Sequence, residues 1–94
     1  MKTIYKYPIA PFHGIQEIKL PMGSVMLSVI EQNGEIMLYC SIANPEAGKV
    51  TYRYMVVGTE WELDIKQDDF PDFIGTVKCG SFVWHVFEVN DLPF

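Results

Sequence analysis

The stretch VMLSVIEQNGEIMLYCSI, residues 25–42, places the strongest constraint on how this chain can fold. Apolar residues alternate along both halves of the stretch, which is the pattern of two half-buried strands. Asn33-Gly34 between them suits the positive φ angles of a type I′ turn. With these two residues at the tip, one apolar face would hold the cross-strand pairs Val29/Leu38, Leu27/Cys40 and Val25/Ile42. The mixed face would hold Ile30/Met37, Ser28/Tyr39 and Met26/Ser41, so the sequence predicts a hairpin with a defined register.

Further short runs with strand character follow the same logic. Strands are predicted at 2–8, 15–20, 50–58, 73–79 and 82–89. Gly80-Ser81, between the last two, suits a type II′ turn. The segment EWELDIKQDDFPDF, residues 60–73, differs and is predicted to be one short acidic helical turn or a loop, limited by Pro71. About seven short strands and no helix of ordinary length predict an all-β fold, a small antiparallel sandwich or barrel.

The length and composition suit one small globular domain. The chain has 94 residues, of which 49% are hydrophobic, so a single domain over 1–94 can form one modest core. No apolar run approaches the roughly 20 residues of a membrane helix, and the start MKTIYKYPIAPF lacks the apolar stretch of a signal peptide. We therefore expect a cytoplasmic protein. Cys40 and Cys79 lack the spacing of a metal site, and two reduced thiols, with Cys40 buried, are predicted.

The negative charge of the protein is concentrated in one segment. Residues 60–72 hold six carboxylates against Lys66, a net charge of −5 that equals the net charge of the whole chain. Such a distribution argues against binding to nucleic acid, which needs clustered Lys and Arg. A solvated loop that maintains solubility is the simplest interpretation. The acidic residues lack the spacing of a calcium loop, and no metal or other cofactor is expected.

The same segment is the predicted contact for a partner with a basic surface. Its aromatic residues interleave with the carboxylates and can anchor a protein interface. The predicted partner-binding residues are Glu60, Trp61, Glu62, Asp64, Asp68, Asp69, Phe70 and Asp72.

Motifs of catalysis are absent from the sequence, so we expect a protein that is not an enzyme. The chain has no G-x-S-x-G, H-E-x-x-H, Walker A or G-x-G-x-x-G pattern. His85 lies in the middle of the strand FVWHVFEV, between Val83 and Phe87 on one face, while Trp84 points to the other. A packed histidine with satisfied hydrogen bonds is favoured over one that lines a ligand pocket.

Four segments together resemble a known family. TIYKYP (3–8), VVGT (56–59), IGTV (74–77) and VWHVFE (83–88), in this order and spacing, are similar to small bacteriophage and prophage proteins described only as a domain of unknown function. The resemblance runs from Lys2 to about Glu88. Members of the family commonly carry a second glycine after VVGT, where this chain has Glu60. The resemblance implies an accessory protein that works inside a bacterial host cell, and it carries no known catalytic or binding residues.

Three functional hypotheses follow. The first is a non-enzymatic protein that binds a host protein, as an inhibitor of a defence or regulatory factor. No membrane partner is expected in either this or the following case. The second is an oligomer that sequesters a small ligand such as a nucleotide signal. Its candidate ligand-binding residues are Lys6, Gly58, Thr59, Gly75, Thr76, Trp84 and His85. The third is a minor virion component assembled through an open sheet edge. An odd number of strands leaves such an edge unless copies pair, so a homo-oligomer stays open.

Overall fold

The described part of the chain is entirely strand and turn. A computed structural model describes residues 2–62 and 72–89. The strands are β1 (Thr3–Ile9), β2 (Gly14–Pro21), β3 (Val25–Gln32), β4 (Glu35–Ile42), β5 (Lys49–Gly58), β6 (Asp72–Cys79) and β7 (Phe82–Val89). The predicted all-β class and the seven strands are thereby confirmed. No helix in the described ranges is long and apolar enough to span a membrane.

The strands form two antiparallel sheets that face each other as a sandwich. One has the order β1-β4-β3 and the other the order β2-β5-β7-β6. Side chains from both sheets fill one shared core. Its fully buried members include Leu20, Ile36, Leu38, Ile42, Val56 and Val86. The shared core thus follows the alternation of apolar residues along the strands, while Met55, Val57 and Phe87 form a second, smaller buried cluster.

Both predicted tight turns form. Asn33 and Gly34 have φ angles of 54° and 82°, and the flanking pair is Gln32/Glu35, as a type I′ turn requires. Gly80 has a φ of 64° between the paired residues Cys79 and Phe82. These turns fix the register of β3 with β4 and of β6 with β7 at one end of the sandwich.

The predicted hairpin register is right near the turn and wrong beyond Ser28. Val29 pairs with Leu38 and Ser28 with Tyr39, but a bulge at Leu27 then pairs Met26 with Cys40. A bulge adds one residue to one strand and reverses the facing of the residues beyond it. Met26 therefore points into the core, and Leu27 lies exposed instead of packing against Cys40.

The bulge also moves Val25 to the surface. Val25 pairs with Ser41 rather than with Ile42. It joins Ile4, Leu27 and Ile30 as exposed apolar residues of the three-stranded sheet. This sheet therefore presents a partly apolar outer surface.

The predicted acidic helical turn at 60–73 is only partly described. Residues 58–61 form a turn in which Trp61 N–H donates to the Gly58 carbonyl at 3.1 Å. Asp72 and Phe73 begin strand β6 rather than ending a loop. The remainder, 63–71, lies outside the described residues.

The sheets come closest where β3 passes β6, and glycine allows this approach. A methyl group on Gly75 would lie 3.0 Å from Val29 Cγ2 and 3.7 Å from the Val29 backbone nitrogen. β6 is bulged beside this glycine, between Phe73 and Gly75. Since bulges increase local twist, the bulges of β3 and β6 allow the two edges to turn toward each other.

A pair of carboxylates lies at the far end of β7, where Glu88 is half-buried and Asp72 is exposed. Glu88 lies opposite Asp72 on one side and Tyr54 on the other. Burial, followed by the Asp72 carboxylate, raises the pKa of Glu88. Burial and then the Glu88 carboxylate raise the pKa of the Cys40 thiol to about 11. Cys40 is a buried, free thiol, as predicted, and is protonated at neutral pH.

We expect Gly75→Ala to lower the free energy of unfolding by about 1–3 kcal/mol, because the added methyl group overpacks the contact with Val29. The same substitution in a Val29→Ala background should cost about 1 kcal/mol less, since the neighbouring methyl groups are gone. Urea unfolding measures both. Gly48→Ala is the matched control, because a methyl group there meets no atom within 4 Å. Equal losses of stability in Gly75→Ala and Gly48→Ala would contradict a close contact between Gly75 and Val29.

We expect Glu88→Gln to stabilise the protein at pH 7, because the native state no longer holds a desolvated carboxylate beside Asp72. A raised pKa means that native Glu88 binds its proton before unfolded Glu88 does. The difference in free energy of unfolding between Glu88→Gln and the wild-type protein should therefore shrink as the pH falls from 7 toward 4.5, the ordinary pKa of a glutamate. Below that pH the difference should remain constant. Urea unfolding at several pH values tests this prediction. A difference in the free energy of unfolding that does not change with pH would contradict it.

Candidate functional site: an aromatic cleft

The connections at one end of the sandwich enclose a cleft of about 540 Å³. Three segments supply its lining: the β1–β2 connection, the turn after β5 and the β6–β7 hairpin. The lining residues are Pro11, Phe12, His13, Trp61, Cys79, Phe82 and Trp84. A volume of this size falls within the usual range of ligand-binding pockets, roughly 300–1,000 Å³.

The rings of the cleft contact one another in a chain. The ring centroids of His13 and Trp61 are 4.9 Å apart. Trp61 meets Trp84 edge-on at 5.8 Å, and Trp84 lies 5.9 Å from Phe82. Trp84 is buried and forms the base, whereas Phe12, Trp61 and Phe82 remain exposed. The cleft therefore combines a fixed base with accessible aromatic walls.

Glycine and backbone geometry set the position of Trp61. A methyl group on Gly58 would lie 3.3 Å from the Trp61 indole ring, so the ring packs over the bare backbone of Gly58. The turn that brings it there places Glu60 at a φ of 72°, a left-handed conformation that favours glycine. Trp61 is held against Gly58 at the expense of strain at Glu60.

A hydrogen-bonded chain fixes the opposite wall. The Gln16 side-chain amide donates to the carbonyl oxygens of Ala10 and Phe12, at 2.9 and 3.3 Å. Tyr54 Oη–H in turn donates to Gln16 Oε1 at 2.7 Å. Burial raises the pKa of Tyr54 to about 12, so its hydroxyl stays protonated and can donate. These bonds hold the β1–β2 connection that carries Phe12 and His13.

Two polar groups of the lining are chemically informative. His13 Nδ1 is buried and has no hydrogen-bond partner within the part of the chain that the structure describes. A buried polar atom of this kind normally needs a partner. Cys79 Sγ–H donates to the Gly34 carbonyl at 3.3 Å. His13 Nδ1 is thus a polar atom of the lining whose hydrogen bond is not satisfied by the described residues.

His85 lies on the opposite face of β7, where both of its ring nitrogens are bonded. Thr59 Oγ1 is 2.8 Å from Nε2, and Thr76 Oγ1 is 2.9 Å from Nδ1. Thr59 Oγ1 also lies 3.4 Å from the Val83 carbonyl, to which it can donate. A consistent assignment has Thr76 donating to Nδ1 and Nε2–H donating to Thr59. The half-buried ring therefore links β5 and β6 across β7.

The structure brings the predicted ligand-binding residues together only in part. Thr59, Thr76 and His85 meet on one face of the four-stranded sheet, but Trp84 faces the cleft on the other side. Gly58 carries the ring of Trp61, and Gly75 packs on Val29. Lys6 belongs to the other sheet, where its Nζ donates to Gln32 Oε1 at 3.1 Å.

The predicted acidic contact divides in a similar way. Glu60, Trp61 and Glu62 are exposed beside the cleft, and Asp72 is an exposed residue of β6 at the other end of the sheet. Asp64, Asp68, Asp69 and Phe70 lie outside the described residues.

Sequence reasoning missed the wall formed by Pro11, Phe12 and His13. The available signal was a short connection, PFHG, that places an aromatic ring and an imidazole between two strands. Residues on connections often carry function. Which segments the PFHG connection approaches in space, however, depends on the topology of the strands.

We expect Glu60→Gly to raise the free energy of unfolding by about 0.5–1 kcal/mol, since glycine adopts positive φ without strain and only part of that gain is offset by the freer unfolded chain. Chemical unfolding gives the value. The control is Glu62→Gly, whose position has no positive φ and which should be neutral or destabilising. Loss of stability in Glu60→Gly would contradict the left-handed backbone conformation at Glu60.

Comparison with known proteins places the whole chain in one family. No curated protein and no solved structure gives a significant match. A family model described as a domain of unknown function, DUF7352, matches residues 1–93. The match covers the cleft, its supporting residues and the Thr59–His85–Thr76 array. The chain belongs to the DUF7352 family.

Proposed function

We propose that the protein is a non-enzymatic binding protein of bacteriophage type that engages a protein of the bacterial host through the aromatic cleft. The observation that carries the proposal is the set of exposed rings, Phe12, Trp61 and Phe82, around the buried base Trp84. Large aromatic side chains around a concave site are the usual anchors of protein recognition. The protein acts in the host cytoplasm by occupying a surface of its partner.

Charge supports a protein partner over a nucleotide. Glu60 and Glu62 flank Trp61, and none of the described lining residues is a lysine or arginine. A phosphate group in the cleft would face carboxylates without a compensating cation. A basic surface on a partner protein would be attracted by the same carboxylates. The net charge of −5 extends this preference to the long-range encounter.

The small-ligand hypothesis retains one specific observation in its favour. Thr59, Thr76 and His85, which the sequence suggested as ligand-binding residues, do converge on one surface. Their hydrogen bonds are, however, satisfied among themselves. The aromatic cleft, whose His13 Nδ1 has no partner among the described residues, is the better candidate for binding.

Affinity capture from host lysate tests the proposal with a matched pair of variants. Phe82 and Phe73 are both strand phenylalanines, exposed by 59% and 60%, but only Phe82 lines the cleft. We expect Phe82→Ala and Trp61→Ala to weaken binding of the captured protein by about tenfold or more, because interface aromatics contribute about 1.4 kcal/mol or more each. Phe73→Ala should bind as the wild-type protein does.

Two results would contradict the proposal. One is a partner that binds Phe82→Ala and Trp61→Ala as tightly as the wild-type protein. The other is the absence of any captured protein together with a bound small molecule in native mass spectrometry. Circular dichroism of each variant confirms that a loss of binding is not a loss of fold.

A further inference from the structure

The cleft has aromatic walls, and two carboxylates adjoin one of these walls along the chain. Glu60 and Glu62 are exposed and adjoin Trp61, which forms one wall and is 49% exposed. The faces of aromatic rings attract cations through their quadrupole, most strongly for tryptophan. Carboxylates nearby add to the same field. The aromatic faces and the nearby carboxylates both attract positive charge, so a cation is the ligand that suits the cleft.

His13 Nδ1 restricts the class of ligand to one that can donate a hydrogen bond. His13 Nδ1 is buried in the cleft wall without a partner among the described residues, and a neutral imidazole that carries its proton on Nε2 accepts at Nδ1. A guanidinium group has five N–H donors and no acceptor. Since His13 Nδ1 is buried in the free protein, the cleft must open locally before a guanidinium can donate to this nitrogen and stack on a ring.

Arginine suits the cleft better than lysine for physical reasons. The guanidinium group is planar, is more weakly hydrated than an ammonium group and stacks on aromatic faces. An ammonium group loses more hydration when it enters an apolar cleft. The exposed rings of Trp61 and Phe82 offer such stacking surfaces.

We propose that the cleft is an arginine-recognition pocket that takes a single arginine side chain of the partner protein between Trp61 and Phe82, with His13 Nδ1 as hydrogen-bond acceptor and Glu60 and Glu62 as the acidic rim. This inference rests on the proposed function, because it specifies which part of the partner enters the site. The specificity of binding then depends on the charge and planarity of one side chain.

The test uses seven-residue peptides with one central arginine, lysine or citrulline in a serine–glycine background. The chain has two tryptophans, and both line the cleft, so their two indole N–H signals in a nitrogen–proton NMR spectrum report directly on the site. We expect the arginine peptide to shift both signals and to bind at least about fivefold more tightly than the lysine peptide. Citrulline, which keeps the shape and loses the charge, should not bind measurably.

Variants separate the rim from the acceptor. Glu60→Gln combined with Glu62→Gln should weaken arginine binding by about threefold to fivefold, the range of exposed charge pairs, with less effect at high salt. His13→Phe keeps the ring and removes the acceptor, and should reduce the preference for arginine over lysine. Glu46→Gln, in the exposed β4–β5 connection, is the control and should leave the affinity unchanged.

The outcomes distinguish this inference from the proposed function. Equal binding of arginine and citrulline peptides, or indole shifts produced instead by proline-rich peptides or by adenosine monophosphate, would overturn the arginine assignment. If the arginine peptide leaves both indole signals in place while Trp61→Ala still abolishes capture of the partner, the pocket assignment is wrong and the binding function stands. If Trp61→Ala has no effect on capture either, both are wrong.

Discussion

The contact between β3 and β6 is the constraint on which the rest of the structure depends. Gly75 lets the Val29 side chain approach its backbone, and both strands are bulged nearby. The contact joins the two sheets along one side. It also brings the β3–β4 turn to the β6–β7 hairpin, where Cys79 Sγ–H donates to the Gly34 carbonyl. The cleft is the space between the β6–β7 hairpin, the β1–β2 connection and the turn after β5.

Strand β7 connects this packing to function because its two faces carry different chemistry. Trp84 is the buried base of the cleft, and the adjacent His85 bridges Thr59 and Thr76 on the outer face. The threonine bridges fix the end of β5, from which the turn to Trp61 departs. A histidine that the sequence offered as a candidate ligand-binding residue thus acts as a cross-link between strands. The surface that it helps to position is the aromatic one.

Local sequence patterns predicted more of the fold than of the candidate site. Asn33-Gly34 and Gly80-Ser81 encode their turns, and alternation encodes the strands around them, because both signals depend on neighbours in sequence. The bulge at Leu27 is not local in this sense, since it accompanies the approach of β3 to β6 in the other sheet. For the site, Trp61 was visible as an aromatic residue among carboxylates, whereas Phe12, His13 and Phe82 meet it only through topology. Alternation already separates Trp84 from His85, so the sequence contained the reason why those two cannot share one ligand.

Amide hydrogen exchange, measured on the protein alone and in complex with its captured partner, shows directly whether the partner covers the aromatic end of the sandwich. We expect slower exchange in the complex at 10–13, 59–62 and 79–82, with no change at the far connection 43–48. Protection confined to the outer face of the three-stranded sheet, around Ile4, Val25 and Leu27, with the cleft segments unchanged, would contradict it.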